Sequence, residues 1–179
     1  MNPTLHISLV PLTHEDREQF ISDNQEAFLY GATKEFGLRD NHYEEEGQII
    51  SRKTIEASID AEHAETYRIM LDGEKVGGVV INVDGSHGHL DLLFVSPAVH
   101  SYGIGYSTWC AIERLHPEVT VWGTMTLYFE KRNIHFYVNR CGFHIVEFFH
   151  RGHPDPTFPY KDDDDHDGMF RFEKVIKDR

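Results

Sequence analysis

The sequence predicts one α+β domain over residues 1–179, a mixed central sheet of about seven strands flanked by helices. Short, apolar, β-rich runs recur along the chain and alternate with stretches of helical spacing. Turn residues at Asp72 and Gly73, and again at Asp84 and Gly85, join three of those runs into consecutive hairpins. A further apolar run, residues 90–95, leads through a turn containing Gly103 and Gly105 directly into a helix.

Taken in order, residues 5–10 form the first strand, and Pro11 closes it. Thr13 can cap the next helix, with Asp16 three residues on in a capping-box arrangement. That helix carries Phe20, Ile21 and Phe28 and is expected to break at Gly31. Residues 36–47 are polar and punctuated, a loop or broken helix. Ser51 can cap a second helix with Ile55 and Ile59 on one face. Residues 66–71 and 75–83 pair across the first hairpin turn, and the second turn leads to the strand ending at Val95. The helix after the glycine turn places Ile104, Ala111, Ile112 and Leu115 on one face and stops before Pro117. Residues 119–129 form a fifth strand, 131–140 a helix, 142–150 a sixth strand and 169–176 a seventh. Between the last two lies a proline- and aspartate-rich stretch, residues 153–168, read as an exposed acidic loop.

Composition bounds the function. With 179 residues and 40% hydrophobic content, the chain can bury one core. A net charge of −13 argues against nucleic acid or an anionic membrane as partner and is compatible with a cationic substrate. Cys110 and Cys141 fall in predicted helices without a partner spacing, which suits reduced thiols and a cytoplasmic protein. The chain shows neither a signal peptide nor a long apolar span. Its 13 histidines do not form a zinc frame, so no metal is expected.

The glycine turn carries the functional reading. The first turn of a helix presents unpartnered N–H groups and the positive end of the dipole, and glycine lets a phosphate approach them. A dinucleotide fingerprint would need a third glycine where Thr108 stands, and no Gly-Lys-Ser/Thr P-loop is present. The run His100, Ser101, Tyr102, Gly103, Ile104, Gly105, set after Val95, Ser96 and Pro97, instead resembles the signature of the GNAT family of acyl-CoA N-acyltransferases. That signature is Gln/Arg-x-x-Gly-x-Gly/Ala after a Val-x-Pro turn, and His100 replaces the usual Gln or Arg. The element order β-α-α-β-β-β-α-β-α-β-β is also that of the GNAT fold. A second block, from Asn133 to Tyr137 and on to Cys141, Gly142 and Phe143, is similar to the family's closing pattern. Counted back from Tyr137, the family's asparagine falls at Glu130, while Asn133 takes an alanine position. One extra residue separates Tyr137 from Gly142.

The resemblance implies an N-acetyltransferase moving acetyl from acetyl-CoA to a primary amine of a small molecule or peptide, by direct attack in a ternary complex. It implies cofactor contacts at Leu93, Val95, His100, Ser101, Tyr102, Gly103, Ile104, Gly105, Asn133 and Tyr137. Tyr137 would face the leaving thiolate, as a phenol protonated at neutral pH. For the base, alternation from the strand end puts His89, Asp91, Leu93 and Val95 on one face. Asp91 is the candidate, with His89 and Glu130 in reserve. The strands starting near Leu90 and Val119 must splay apart to admit the pantetheine arm, and Gly123 can mark a bulge or relieve packing. The expected partners are acetyl-CoA and an amine acceptor, with the chain a monomer or homodimer. Two alternatives remain at this level: a sensor that holds acyl-CoA without turnover, and an interaction domain that binds no CoA.

Overall fold

The computed structural model describes residues 5–35, 41–99, 103–157 and 168–177. In chain order the elements are β1 (Ile7–Pro11), α1 (Arg17–Thr33), α2 (Arg52–Ile59), β2 (Ala64–Leu71), β3 (Glu74–Asp84), β4 (His87–Val95), α3 (Ile104–Leu115), β5 (Val121–Leu127), α4 (Lys131–His135), β6 (His144–Phe149) and β7 (Met169–Val175). The strands form one sheet in the order β1-β2-β3-β4-β5-β7-β6. Among the described residues its only parallel pair is β4 with β5, joined by α3, so the sheet is mixed as the sequence predicts.

Alternation along β3 divides the core. Val79 and Ile81 face one layer with Leu90, Trp109, Ile112, Trp122, Phe143 and Phe172. Val80 faces the other, with Phe20, Ile21, Ile55, Leu92 and Phe94. Helices α1 and α2 cover the second layer, and α3 lies on the first. Two large indoles meet edge-on at the centre of the first, Trp109 and Trp122 at 5.2 Å. Gly88 is required there, because a Cβ would stand 2.4 Å from the Trp122 ring.

Two local expectations fail at α1. The helix starts at Arg17, so Thr13 is not its cap; Asp16 takes the N-cap position and its side chain makes no capping bond. Its carboxylate instead accepts from Arg68 Nε at 2.6 Å and Lys75 Nζ at 2.8 Å. Arg68 is 2% exposed, also pairs with Asp23 at 2.8 Å, and lies over the Phe20 ring. A buried guanidinium must be neutralised, so this tertiary demand outweighs a cap worth about 1 kcal/mol. Gly31 does not break the helix, which continues to Thr33; a single interior glycine costs only about 1 kcal/mol relative to alanine. Ser51 caps α2 as expected, accepting from Thr54 N at 3.1 Å. The acidic loop is described only at its two ends, and residues 158–167 lie outside the described residues.

The predicted helix at 131–140 is in fact α4 followed by a π-helical turn, Phe136–Arg140. Cys141 N bonds Phe136 O at 3.0 Å, five residues back, and Gly142 exits with φ 81°. The extra residue between Tyr137 and Gly142 is thus taken up in a widened turn. Among the described residues, no helix is long and apolar enough to cross a membrane.

Candidate active site

The site is built on a split in the sheet. Strands β4 and β5 pair only through His87↔Val121, Gly88↔Trp122 and His89↔Gly123. Beyond His89 their backbones part, and the Thr124 hydroxyl reaches across to donate to the Leu90 carbonyl at 2.9 Å. A cleft of about 770 Å³ runs through this opening. Its walls bring together Asp91, Leu93, Val95, Gly103, Ile104, Gly105, Asn133 and Tyr137, eight of the residues singled out in the sequence. His100, Ser101 and Tyr102 lie outside the described residues.

The bulge lies in β4, not at Gly123. Val80 pairs with Leu92 and Ile81 with Leu90, so Asp91 is an extra residue set out of the ladder. This corrects the expected alternation. Leu93 and Val95 keep the α3 face, whereas His89 lies beyond the bulge and does not line the cleft. A two-residue period cannot survive an inserted residue. Asp91 is left exposed at the mouth of the split. Gly123 relieves packing instead: a Cβ there would meet His89 Nδ1 at 3.3 Å. Burial pushes the His89 imidazole below its ordinary value, and the Asp91 carboxylate draws it part of the way back. The other reserve base, Glu130, is 8% exposed and lines the cleft.

At the far end of β4 the chain passes a 3₁₀ turn, Pro97–Val99, and enters α3 through Gly103, whose φ of 78° is left-handed. Among the described residues, a Cβ at Gly103 would meet nothing within 4 Å, while one at Gly105 would touch the Phe136 ring at 3.4 Å. The opening turn of α3 therefore faces the cleft with its backbone bare.

The opposite wall is α4 and the π-helical turn that continues it. Four residues on a helix advance about 6 Å and two on a strand about 6.6 Å, so a helical i,i+4 pair can sit on a strand i,i+2 pair. Asn133 and Tyr137 do this over Thr126 and Thr124. Asn133 Nδ2 donates to Thr126 Oγ1 at 3.2 Å. Tyr137 packs among Phe136, Phe143 and Phe172, at 5.6, 5.8 and 5.4 Å between ring centroids. Burial pushes its phenol up to about 12, with the Thr124 hydroxyl opposing the shift. Sequence reasoning missed Thr124 and Thr126. Their signal was present: two hydroxyls in register with buried Trp122 on an otherwise apolar strand.

A model of the Acetyltransferase (GNAT) family matches residues 17–143. The chain belongs to the GNAT family. The uncharacterized protein YrkN of Bacillus subtilis (strain 168) is 43% identical over 173 residues, 90% of this chain and 89% of that protein. Among solved structures, the ribosomal-protein-S18-alanine N-acetyltransferase of Escherichia coli superposes with a TM-score of 0.66 at 15% identity, covering 97% of this chain and 96% of that one. The PaiA N-acetyltransferase of Thermoplasma acidophilum, solved in complex with coenzyme A, gives a TM-score of 0.60 at 18% identity over 96% and 100% of the two chains. These structures share the GNAT fold with it. Among the described residues, no group of three or more His, Cys, Asp or Glu side chains is placed to hold a metal ion.

Proposed function

We propose that this GNAT chain transfers the acetyl group of acetyl-CoA to a primary amine, by direct attack within a ternary complex. The observation that carries the reading is the split between β4 and β5, with Asp91 at one wall, Tyr137 at the other and the bare α3 turn at its end. The turn would hold the pyrophosphate on its N–H groups, at Gly103, Ile104 and Gly105 and, in the same turn of sequence, His100, Ser101 and Tyr102. The part of β4 beyond His89, at Leu93 and Val95, would lie along the pantetheine arm. Asn133, anchored on Thr126, would face the same arm.

In the chemical step the amine nitrogen forms a bond to the thioester carbonyl carbon, and the C–S bond breaks. The amine proton passes to Asp91, directly or through water. Tyr137 stabilises the departing sulfur, and its pKa decides how. Burial raises the Tyr137 phenol, so it holds its proton more tightly than a free phenol does. Tyr137 therefore acts by donating a hydrogen bond, and the thiolate collects its proton from solvent. The test is direct: acetyl-CoA in excess should raise the melting temperature, and a primary-amine panel should release free CoA thiol. Binding without thiol release on any amine would favour a sensor, and no thermal shift would overturn cofactor binding itself.

A further inference from the structure

Resting on that acetyltransferase reading, we infer that the acceptor is a primary amine carried on an apolar body, and that Met125 and Met169 set this preference. The cleft crosses the sheet, and its two halves differ in chemistry. The half against α3 and α4 presents bare backbone, the Asn133 amide and Arg140. The half against α1 is walled by Phe28, Ile50, Leu92, Met125, Leu127 and Met169. Ile50 and Leu92 belong to the buried layer under α1, and Phe28 packs against it. Met125 and Met169 come from β5 and β7 and are partly exposed, so their flexible thioethers form an adaptable surface.

The charged groups around this chamber are distributed unevenly. Asp91 and Glu130 flank the passage to the cofactor side, where an ammonium can pair before it loses its proton. Glu44, on the α1 side, is engaged at the start of α2, accepting from Ser51 N at 2.8 Å and Thr54 Oγ1 at 2.6 Å. Among the described residues, the two arginines of the cleft are engaged, Arg132 with Glu35 and Arg140 over the Tyr106 ring. His42 stacks on Phe129 at 5.7 Å. One amine is thus met by carboxylate at the split, and the body that bears it is met by hydrocarbon. A methylene moved from water onto such a wall tightens binding about fourfold. Among the described residues, a second polar head there meets only hydrocarbon or groups already engaged, so it loses its water uncompensated and binding weakens about five- to 150-fold.

The experiment is an amine ladder on the whole protein, with and without saturating CoA. Butylamine, hexylamine, octylamine and 1,6-diaminohexane are titrated by calorimetry, and the same amines are assayed for thiol release from acetyl-CoA. Affinity should rise with chain length by about fourfold per methylene over the first few, and hexylamine should bind at least about fivefold tighter than its diamine. Met125→Glu, at a partly exposed position, should narrow or reverse that ratio, and Met169→Gln should weaken the length dependence. A diamine that binds as well as hexylamine, affinity independent of length, or no amine binding in either state would overturn the inference. Length-dependent binding without thiol release from any amine would leave the acceptor class standing and overturn the transferase reading.

Discussion

Replacing Tyr137 by phenylalanine removes one oxygen and leaves the ring packed against Phe136, Phe143 and Phe172. If Tyr137 donates to the departing sulfur, its hydrogen bond gains strength only as charge develops. A hydrogen bond to a charged group contributes about 1.5–3 kcal/mol, so turnover should fall by about 10- to 150-fold. Acetyl-CoA affinity should stay within about twofold, because the ground-state thioester sulfur is a weak acceptor. The pH dependence adds a check. With the phenol at about 12, Tyr137 stays protonated through pH 10, so the wild type should show no alkaline loss of rate from this group below that pH. Stability follows the same sign: the folded pKa lies above the unfolded value of about 10, so the stability tied to the neutral phenol is complete below pH 10 and is lost between 10 and 12. The variant should lose that component of its alkaline destabilisation. Single-turnover thiol release, calorimetry with acetyl-CoA and denaturant melts from pH 7 to 12 measure all three. Unchanged turnover would refute the assigned role, and equal losses in rate and affinity would make Tyr137 a binding residue only.

Asp91→Asn should lower turnover more at pH 7 than at pH 9, where more of the amine is already neutral; an equal loss at both would mark Asp91 as structural. Gly105→Val should weaken acetyl-CoA binding at least about tenfold with a native circular dichroism spectrum, because the branched side chain both crowds Phe136 and covers the α3 amides. Native affinity in calorimetry would remove the phosphate cradle from that turn. Arg68 holds the Asp16 carboxyl below its usual range, chiefly by its hydrogen bond. The stability from this pair is present above Asp16's unfolded pKa of about 3.9 and is lost as pH falls through the depressed folded value. Asp16→Ala should cost about 3 kcal/mol at pH 7, the low end for a broken buried pair because Asp23 still holds Arg68. The gap to wild type, followed in urea melts, should close in acid.

The sequence alone determined most of the fold, because its signals are local. Runs of apolar residues mark strands, Asp-Gly turns mark hairpins, and Ser51 marks a helix start, since each acts within a few residues of chain. It also located the Gly103 turn, because a left-handed φ at the mouth of a helix is a requirement that glycine announces. Tertiary structure decided the rest, where two distant segments compete for one group. Asp16 is a capping residue by sequence and an ion-pair partner in the fold, because only the fold buries Arg68 beside it. Asp91 has the right chemistry in the sequence, but the bulge that turns it out of the ladder is set by the pairing of β4 with β3. The irregular spacing after Tyr137 reads as a mismatch in sequence. In space the π-helical turn absorbs the extra residue, and Tyr137 and Asn133 come to rest on Thr124 and Thr126. Which hydroxyl meets which side chain is fixed by how α4 lies on β5, and that geometry exists only once the whole sheet has closed beneath it.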